Sequence, residues 1–164
     1  MSELSHCRLS INGRGVDVLT APGATLLHTL RDDLGILSCK RGCNQGVCGS
    51  CTVVVDDLPV RACLSVTENC TGKEVRTLEG FAEDPVMQAL QERMIESGGV
   101  QCGFCTAGML ISARDLLVEN PTPSIEDVQA ALSGNLCRCT GFRKIVDAVR
   151  AAAVDLAASG RAAA

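Results

Sequence analysis

Cysteine spacing is the feature that most constrains how this chain can fold. Eight of its eleven cysteines fall into two separate quartets. The first follows the pattern Cys-x4-Cys-x2-Cys with a fourth cysteine further on, and comprises Cys43, Cys48, Cys51 and Cys63. The second joins a Cys-x2-Cys pair to a distant Cys-x1-Cys pair, and comprises Cys102, Cys105, Cys137 and Cys139. The first spacing is typical of the ligands of a [2Fe–2S] cluster.

Two clusters in one short chain indicate a path for electrons, which enter at one cluster and leave from the other. The rest of the composition favours metal-supported folding. The 164 residues include three Phe and neither Trp nor Tyr, so the core lacks the large aromatic side chains that usually dominate core energetics. Ligand binding supplies folding free energy that such a core does not, and we expect two small lobes, each tied by a cluster.

The charge pattern excludes several classes of partner. The net charge is −4 with no Lys/Arg run, which argues against a nucleic-acid partner. No stretch is apolar over the length that a membrane helix needs, so we expect no membrane partner. The first ten residues hold no apolar leader segment, which favours a cytoplasmic location. In a reducing compartment, eleven cysteines are better explained as metal ligands than as disulfides.

The N-terminal half has the pattern of strands with one helix. Alternating residues on both sides of Asn12-Gly13 predict a hairpin. Thr25 is positioned to cap a helix over 26–34 that Gly35 ends. After the first cysteine loop, the sequence predicts a strand over 52–55, a turn at Asp56-Asp57 and a return strand over 58–64. This order suits a β-grasp ferredoxin lobe.

The C-terminal half has helical spacing from about residue 84 onward. The caps, breakers and apolar positions predict four helices, over 85–97, 105–119, 125–133 and 143–157, with a frayed tail over 158–164. Each cysteine pair of the second quartet precedes a helix, where free amide groups and partial positive charge stabilise an anionic cluster. We therefore expect an α+β fold in which residues 1–80 form a β-grasp [2Fe–2S] ferredoxin-type domain and residues 81–164 form a four-helix [2Fe–2S]-binding domain.

Ligand choice within the first quartet leaves some alternatives. Cys39 lies four residues before Cys43, and Cys70 lies seven after Cys63. The x4/x2 spacing favours Cys43, and a return strand leaving Cys51 places Cys63 better than Cys70. Cys7 is remote and is expected to be buried in the core.

The second quartet has a competing interpretation, because a Cys-x2-Cys joined to a distant pair also occurs in structural zinc sites. The Cys-x1-Cys half is less usual for zinc, and a redox cluster is useful beside another. Around the first quartet, Gly42, Gly46 and Gly49 allow the backbone to wrap closely and to point amide groups at sulfur, which tunes a cluster's reduction potential.

Four segments carry a resemblance to a known family. Their sequences are GCNQGVCGSCTV from Gly42, ACL from Ala62, QCGFCT from Gln101 and GNLCRCTG from Gly134. At these positions the chain resembles the small two-cluster subunit of the molybdenum hydroxylases, the xanthine oxidase family, from about Cys7 to Ala151. Three positions depart from the usual pattern: Ala107 and Lys144 stand where the family often has Pro, and Phe142 where Tyr is common. None of the three is a ligand.

The resemblance implies a role for each site residue. Cys43, Cys48, Cys51 and Cys63 would hold an outer [2Fe–2S] cluster near a flavin, and Cys102, Cys105, Cys137 and Cys139 an inner cluster near a molybdopterin. Gln101 would hydrogen-bond the pterin, and Cys139 would lie against it. The implied partners are a large molybdopterin-binding subunit and a medium FAD-binding subunit.

The implied function is that of an electron-transfer subunit of a molybdenum-containing oxidoreductase, with no substrate chemistry in this chain itself. Two other functions compete with it. A free-standing ferredoxin shuttle would need both clusters accessible to diffusing partners. A zinc- or disulfide-stapled structural module would be colourless and free of iron.

Overall fold

The computed structural model describes residues 4–160. Its first element is the predicted hairpin: β1 (Ser5–Ile11) pairs antiparallel with β2 (Arg14–Thr20). Asn12 and Gly13 connect the strands with φ of 52° and 77°, the positive pair that a tight hairpin turn requires. Alternate β1 side chains are buried, namely Cys7, Leu9 and Ile11, so one face of the hairpin belongs to the core.

The sheet has five strands in the order β2-β1-β5-β3-β4. The predicted second hairpin is present as β3 (Thr52–Val55) and β4 (Leu58–Arg61). Its return strand ends at Arg61 instead of Leu64, because the chain turns there and the Leu64 amide donates to the Arg61 carbonyl. The sequence did not predict β5 (Glu74–Arg76), which joins the two hairpins by pairing parallel with β1 and antiparallel with β3.

The predicted helix after Thr25 is less regular than its sequence pattern. Only α1 (Leu26–His28) is α-helical, and Thr29–Asp33 continues it as a π-helical turn. Thr25 caps α1 through its hydroxyl, which accepts the His28 amide at 3.2 Å. Gly35 ends the segment with φ of 69°, as predicted.

Four further helices form the second half, close to the predicted bounds: α2 (Pro85–Glu96), α3 (Thr106–Glu119), α4 (Ile125–Leu132) and α5 (Arg143–Ser159). Asp84 caps α2 by accepting the Met87 amide at 2.9 Å, and Ser124 and Asp127 form a reciprocal capping box on α4. Of the predicted frayed tail, Ala158 and Ser159 are helical, and residues 161–164 lie outside the described residues.

Strand β3 lies between two hydrophobic cores and serves both. Val53 and Val55 pack into the core of the β-lobe, whereas Val54, on the opposite face, packs into the helical core. All four β3 residues are buried, as expected for a strand covered on both faces. Phe81 also packs into the helical core. The fold is the expected α+β arrangement of a β-lobe and a four-helix lobe, and the division at residue 80 stays a prediction.

Candidate metal centres

The first quartet begins in the loop between α1 and β3, where backbone amides point at a sulfur. Cys43 Sγ accepts the amide N–H of Gln45 at 3.3 Å and of Cys48 at 3.4 Å. The Cys48 amide, followed by that of Gln45, lowers the pKa of the Cys43 thiol to about 6. Amide donors of this kind stabilise a thiolate and therefore suit a ligand of an anionic cluster.

Close backbone approach explains two of the glycines in this loop. A Cβ on Gly42 would lie 2.8 Å from Cys48 Sγ. A Cβ on Gly49 would lie 2.6 Å from the Gly134 carbonyl oxygen, and Gly49 also has φ of 71°. Gly46 and Asn44 have positive φ as well. The loop therefore wraps inward at Cys48 and contacts the helical lobe at Gly49.

The other two cysteines of the first quartet lie deeper. Cys51 ends the loop as β3 begins, and Cys63 follows β4; both are buried. Burial, with the neighbouring Cys63 and Cys48 thiols acting in the same direction, raises the pKa of Cys51 to about 12. The Ala62 amide donates to the Cys51 carbonyl at 3.2 Å, so the pairing of β3 with β4 continues as far as these two cysteines. The structure thus brings the four cysteines together: Cys43 neighbours Cys48, and Cys51 neighbours both Cys48 and Cys63.

The second quartet is assembled from two helix starts. Cys105 directly precedes α3, and Cys137 and Cys139 precede α5. Cys139 Sγ lies 3.5 Å from Cys102 Sγ, although the two residues are 37 positions apart in the chain. Burial raises the pKa of the Cys105 thiol to about 12, and the neighbouring Cys137 thiol acts in the same direction. All four predicted cysteines therefore meet at one end of the helical lobe.

Thr140 and Phe104 supply donors at this second site. Burial works to raise the pKa of Cys137, but the hydroxyl and amide of Thr140 outweigh it and hold the pKa below its ordinary value. The Thr140 amide lies 3.5 Å and its hydroxyl 3.0 Å from Cys137 Sγ. The Phe104 amide lowers the pKa of Cys102 in the same way. No role for Thr140 was predicted from the sequence, because a lone threonine has no distinctive spacing.

The donor set fits two [2Fe–2S] clusters. Each quartet offers four thiols with amide donors directed at one or two of them, which is the environment that such clusters prefer. Within residues 4–160, no three His, Cys, Asp or Glu side chains are placed to hold a single metal ion. A binuclear cluster spreads its four ligands over two irons, so the four thiols need not converge on one point.

The three remaining cysteines pack in the β-lobe core. Cys7, Cys39 and Cys70 are all buried there. Burial raises the pKa of Cys39 to about 11, and its Sγ donates to the Ile36 carbonyl at 3.7 Å. Cys70 donates to the Val66 carbonyl at 3.6 Å. Both behave as packed thiols, and the preference for Cys43 and Cys63 as ligands stays a prediction.

Gln101 lies at the surface beside the second quartet. Its Nε2 donates to the Cys139 carbonyl at 3.2 Å, and both residues are exposed. This contact joins the residue before Cys102 to the last cysteine of the quartet. It leaves the role of Gln101 toward a pterin as a prediction.

Two family models cover the chain and overlap at the junction of the lobes. A model described as "2Fe-2S iron-sulfur cluster binding domain" matches residues 6–93. A model described as "[2Fe-2S] binding domain" matches residues 77–150. Fold, cysteine geometry and both matches define a two-domain protein that carries two [2Fe–2S] clusters.

Several relatives match over most of their own length. The nicotinate dehydrogenase small FeS subunit of Eubacterium barkeri is 46% identical over 142 residues, which are 87% of this chain and 90% of the relative. The xanthine dehydrogenase iron-sulfur-binding subunit of Escherichia coli is 41% identical over 90% of this chain and 94% of its own. The solved quinoline 2-oxidoreductase of Pseudomonas putida 86 is 42% identical with a TM-score of 0.88, and the match covers 97% of this chain and 99% of that chain.

The chain belongs to the small iron–sulfur subunits of the molybdenum hydroxylase family. It is therefore a subunit of an oxidoreductase. Among the helices of residues 4–160, none has the length and apolar character needed to cross a membrane.

Proposed function

We propose that this chain carries single electrons between a molybdopterin centre in a large partner subunit and FAD in a medium partner subunit. The proposal makes Cys43, Cys48, Cys51 and Cys63 the ligands of the outer cluster, and Cys102, Cys105, Cys137 and Cys139 those of the inner cluster. When bound, the two [2Fe–2S] clusters supply one-electron carriers. The residues of this chain hold those carriers, set their surroundings and link the two sites.

One hydrogen bond is the observation that best supports this role. The Leu136 amide donates to the Cys48 carbonyl at 2.9 Å. Cys48 belongs to the first quartet, and Leu136 directly precedes Cys137 of the second. The two loops that carry the cysteines are therefore in direct contact, which provides a short bonded path for electrons between the sites, and cysteines of both quartets also reach the surface. Cys102 and Cys139 are exposed, and Cys43 is partly exposed.

Exposed apolar side chains beside the quartets support protein partners there. Val47 and Leu64 flank the first quartet, with Leu64 lying over Gly46. Phe104 and Leu136 flank the second and are 45% and 55% exposed. Apolar side chains grouped beside a redox site favour docking of a partner subunit over contact with water. The matched relatives are themselves named as subunits.

Gln101 and Cys139 form the surface that we assign to the large subunit. Both residues are exposed, and the Gln101 side chain is already oriented by the Cys139 carbonyl. Its Oε1 can accept a hydrogen bond from a pterin ring. We place the whole complex in the cytoplasm, where reduced thiols remain available as ligands.

Purification through a tag on this chain, expressed in its own host, tests the proposal. We expect about four irons per chain, with molybdenum and flavin each in a separate co-purifying subunit. Iron with neither molybdenum, flavin nor partners would contradict the proposal and favour a free ferredoxin shuttle. Zinc in place of iron would refute the redox role altogether.

A matched pair of variants then tests the docking surface. Val47 beside the first quartet and Leu19 on β2 are similarly exposed, at 58% and 63%. Val47→Glu should reduce co-purification of the flavin-bearing subunit, whereas Leu19→Glu should leave it unchanged. Equal retention of flavin in both variants would exclude Val47 from the contact.

A further inference from the structure

The side chain of Arg61 bridges the two lobes between the two cluster sites. Arg61 is the last residue of β4, and its Nη1 donates to Thr52 Oγ1 at 2.6 Å. Its Nη2 donates to the Gly134 carbonyl at 2.9 Å, across the junction of the lobes. Thr52 directly follows Cys51, and Gly134 lies on the segment that leads to Cys137. One guanidinium therefore touches a neighbour of each quartet.

The residues around the Arg61 guanidinium leave space for it and hydrogen-bond to it. A Cβ on Gly134 would lie 2.6 Å from Arg61 Nη2, so the glycine makes the room that the guanidinium occupies. Asn135, which is 1% exposed, accepts from Ser112 Oγ at 3.2 Å and from Arg61 Nη2 at 3.4 Å. The Arg61 guanidinium thus holds the Gly134 backbone and the Asn135 side chain, which precede the second quartet.

Three backbone segments approach one another closely at this junction. A Cβ on Gly108 of α3 would lie 2.2 Å from the Gly49 carbonyl oxygen, and one on Gly49 would lie 2.6 Å from that of Gly134. The cluster loop, α3 and the Gly134 segment are therefore in direct backbone contact. The bond from the Leu136 amide to the Cys48 carbonyl lies in the same junction.

The chemistry of the contact calls for arginine. The acceptors of Arg61 are uncharged oxygens on two different segments, Thr52 in β3 and the Gly134-Asn135 pair, and a planar guanidinium with several fixed donors reaches them together. A lysine would bring a single ammonium to one of them. Hydrogen bonds that involve a charged donor are also stronger than neutral ones.

We propose that Arg61 is a positioning residue that fixes the separation of the two cluster sites by holding the Gly134 segment against the first cluster loop. The proposal deepens the electron-transfer role proposed above, on which it rests. It assigns Arg61 no contact with a cluster. Its effect is to set the distance and the bonded path between the sites, on which transfer between them depends.

Arg61→Met in the purified complex tests this role, with the exposed Arg150→Met as control. With both clusters reduced, the spin–spin interaction between them, seen by electron paramagnetic resonance, should weaken or become heterogeneous in Arg61→Met and stay as in wild type in Arg150→Met. Hydrogen exchange at the Leu136 amide should rise about tenfold in Arg61→Met, the factor expected for loss of a charge-assisted hydrogen bond. Iron content should not change.

A second pair of variants separates positioning from folding. Arg61→Lys keeps the charge and should restore only part of the wild-type interaction. If Arg61→Met fails to take up iron, Gly134→Ala should produce the same spectroscopic change, because its methyl group displaces the guanidinium. An unchanged spin–spin interaction in Arg61→Met would overturn the proposal. If Arg61→Met lacks iron, an unchanged interaction in Gly134→Ala would overturn it instead. Molybdenum and flavin counts report on the proposed function separately, since that function fails if they are absent from wild type.

Discussion

The two quartets are built by different means. In the first, three cysteines lie within one loop that is shaped by its own backbone, with positive φ at Asn44, Gly46 and Gly49. In the second, two pairs come from helix starts far apart in the chain, and Cys102 meets Cys139 across 37 positions. The first site therefore depends on local backbone conformation, whereas the second depends on packing of the helical core.

The largest expected effect comes from Gly49, where the two sites meet. Gly49→Ala places a methyl group 2.6 Å from the Gly134 carbonyl oxygen at a φ of 71°, so strain and overlap add. We expect a loss of about 3 kcal/mol or more in the free energy of unfolding. Gly72→Ala is the matched control, because Gly72 has φ of 77° with nothing within 4 Å, and it should cost about 1 kcal/mol. If urea titrations gave equal losses of unfolding free energy for Gly49→Ala and Gly72→Ala, the backbone at the junction would have shifted to accommodate the methyl group, contrary to this prediction.

The next prediction compares the two cores directly. Leu27 and Leu132 are almost fully buried, in the β-lobe and the helical lobe respectively. Each Leu→Ala substitution should cost about 2–5 kcal/mol. Leu132→Ala should lower occupancy of the second cluster selectively, whereas Leu27→Ala should leave the signal of the first cluster largely intact. Selective loss of the first cluster in Leu27→Ala would contradict the distinction, because it would show that the first site also depends on core packing.

A smaller effect is expected at the start of α4, which leads into the second quartet. The Ser124 hydroxyl accepts the Asp127 amide at 3.1 Å, and the Asp127 carboxylate accepts the Ser124 amide at 2.9 Å. Ser124→Ala should lower the free energy of unfolding by about 1 kcal/mol. Ser159→Ala, at the end of α5, serves as control and should change it by less than about 0.5 kcal/mol. A null result for Ser124→Ala in chemical denaturation would mean that α4 is held by packing alone.

The smallest effect is a pH dependence within the helical lobe. Arg93 on α2 pairs with Asp155 on α5 and with Glu96, and the Asp155 pKa is held below 3.8 chiefly by its hydrogen bond from Arg93. A lowered pKa in the folded state stabilises the protein above the unfolded pKa, and this contribution is lost as the pH falls through the folded value. Asp155→Asn should therefore lower the thermal midpoint at pH 7, and the difference should shrink and then vanish as the pH falls below the ordinary aspartate pKa and through the lowered folded value.

Asp147→Asn is the control for this pH series, because Asp147 lies on the same helix and pairs with Arg143, whose side chain is 84% exposed. It should shift the midpoint less than Asp155→Asn at pH 7, since exposed pairs contribute little. A shift of Asp155→Asn that persists unchanged at low pH would contradict the electrostatic explanation.

Features that depend on neighbouring residues could be predicted from the sequence. The Asn12-Gly13 turn, the Thr25 cap and the Ser124 capping box are all present, because each is a contact within about four residues. The two cysteine quartets could also be grouped by spacing.

Features that depend on contacts between distant residues could not be predicted from the sequence. Strand β5 is three residues long and is bounded by charged residues; it exists because β1 and β3 lie on either side of it. Periodicity cannot distinguish an α-turn from the π-turn Thr29–Asp33. The bridging role of Arg61 could not be predicted from the sequence, since its partners Gly134 and Asn135 lie more than 70 positions away.

We propose that eight cysteines of this chain form two separate cluster sites. The most direct measurement is electron paramagnetic resonance, with iron counts, on reduced Cys63→Ala and Cys137→Ala, with the buried Cys70→Ala as control. We predict that each of the first two variants loses a different one of two signals and retains about two irons, and that Cys70→Ala keeps both signals. Loss of the same signal in Cys63→Ala and Cys137→Ala, or loss of one in Cys70→Ala, would contradict the assignment of the ligands.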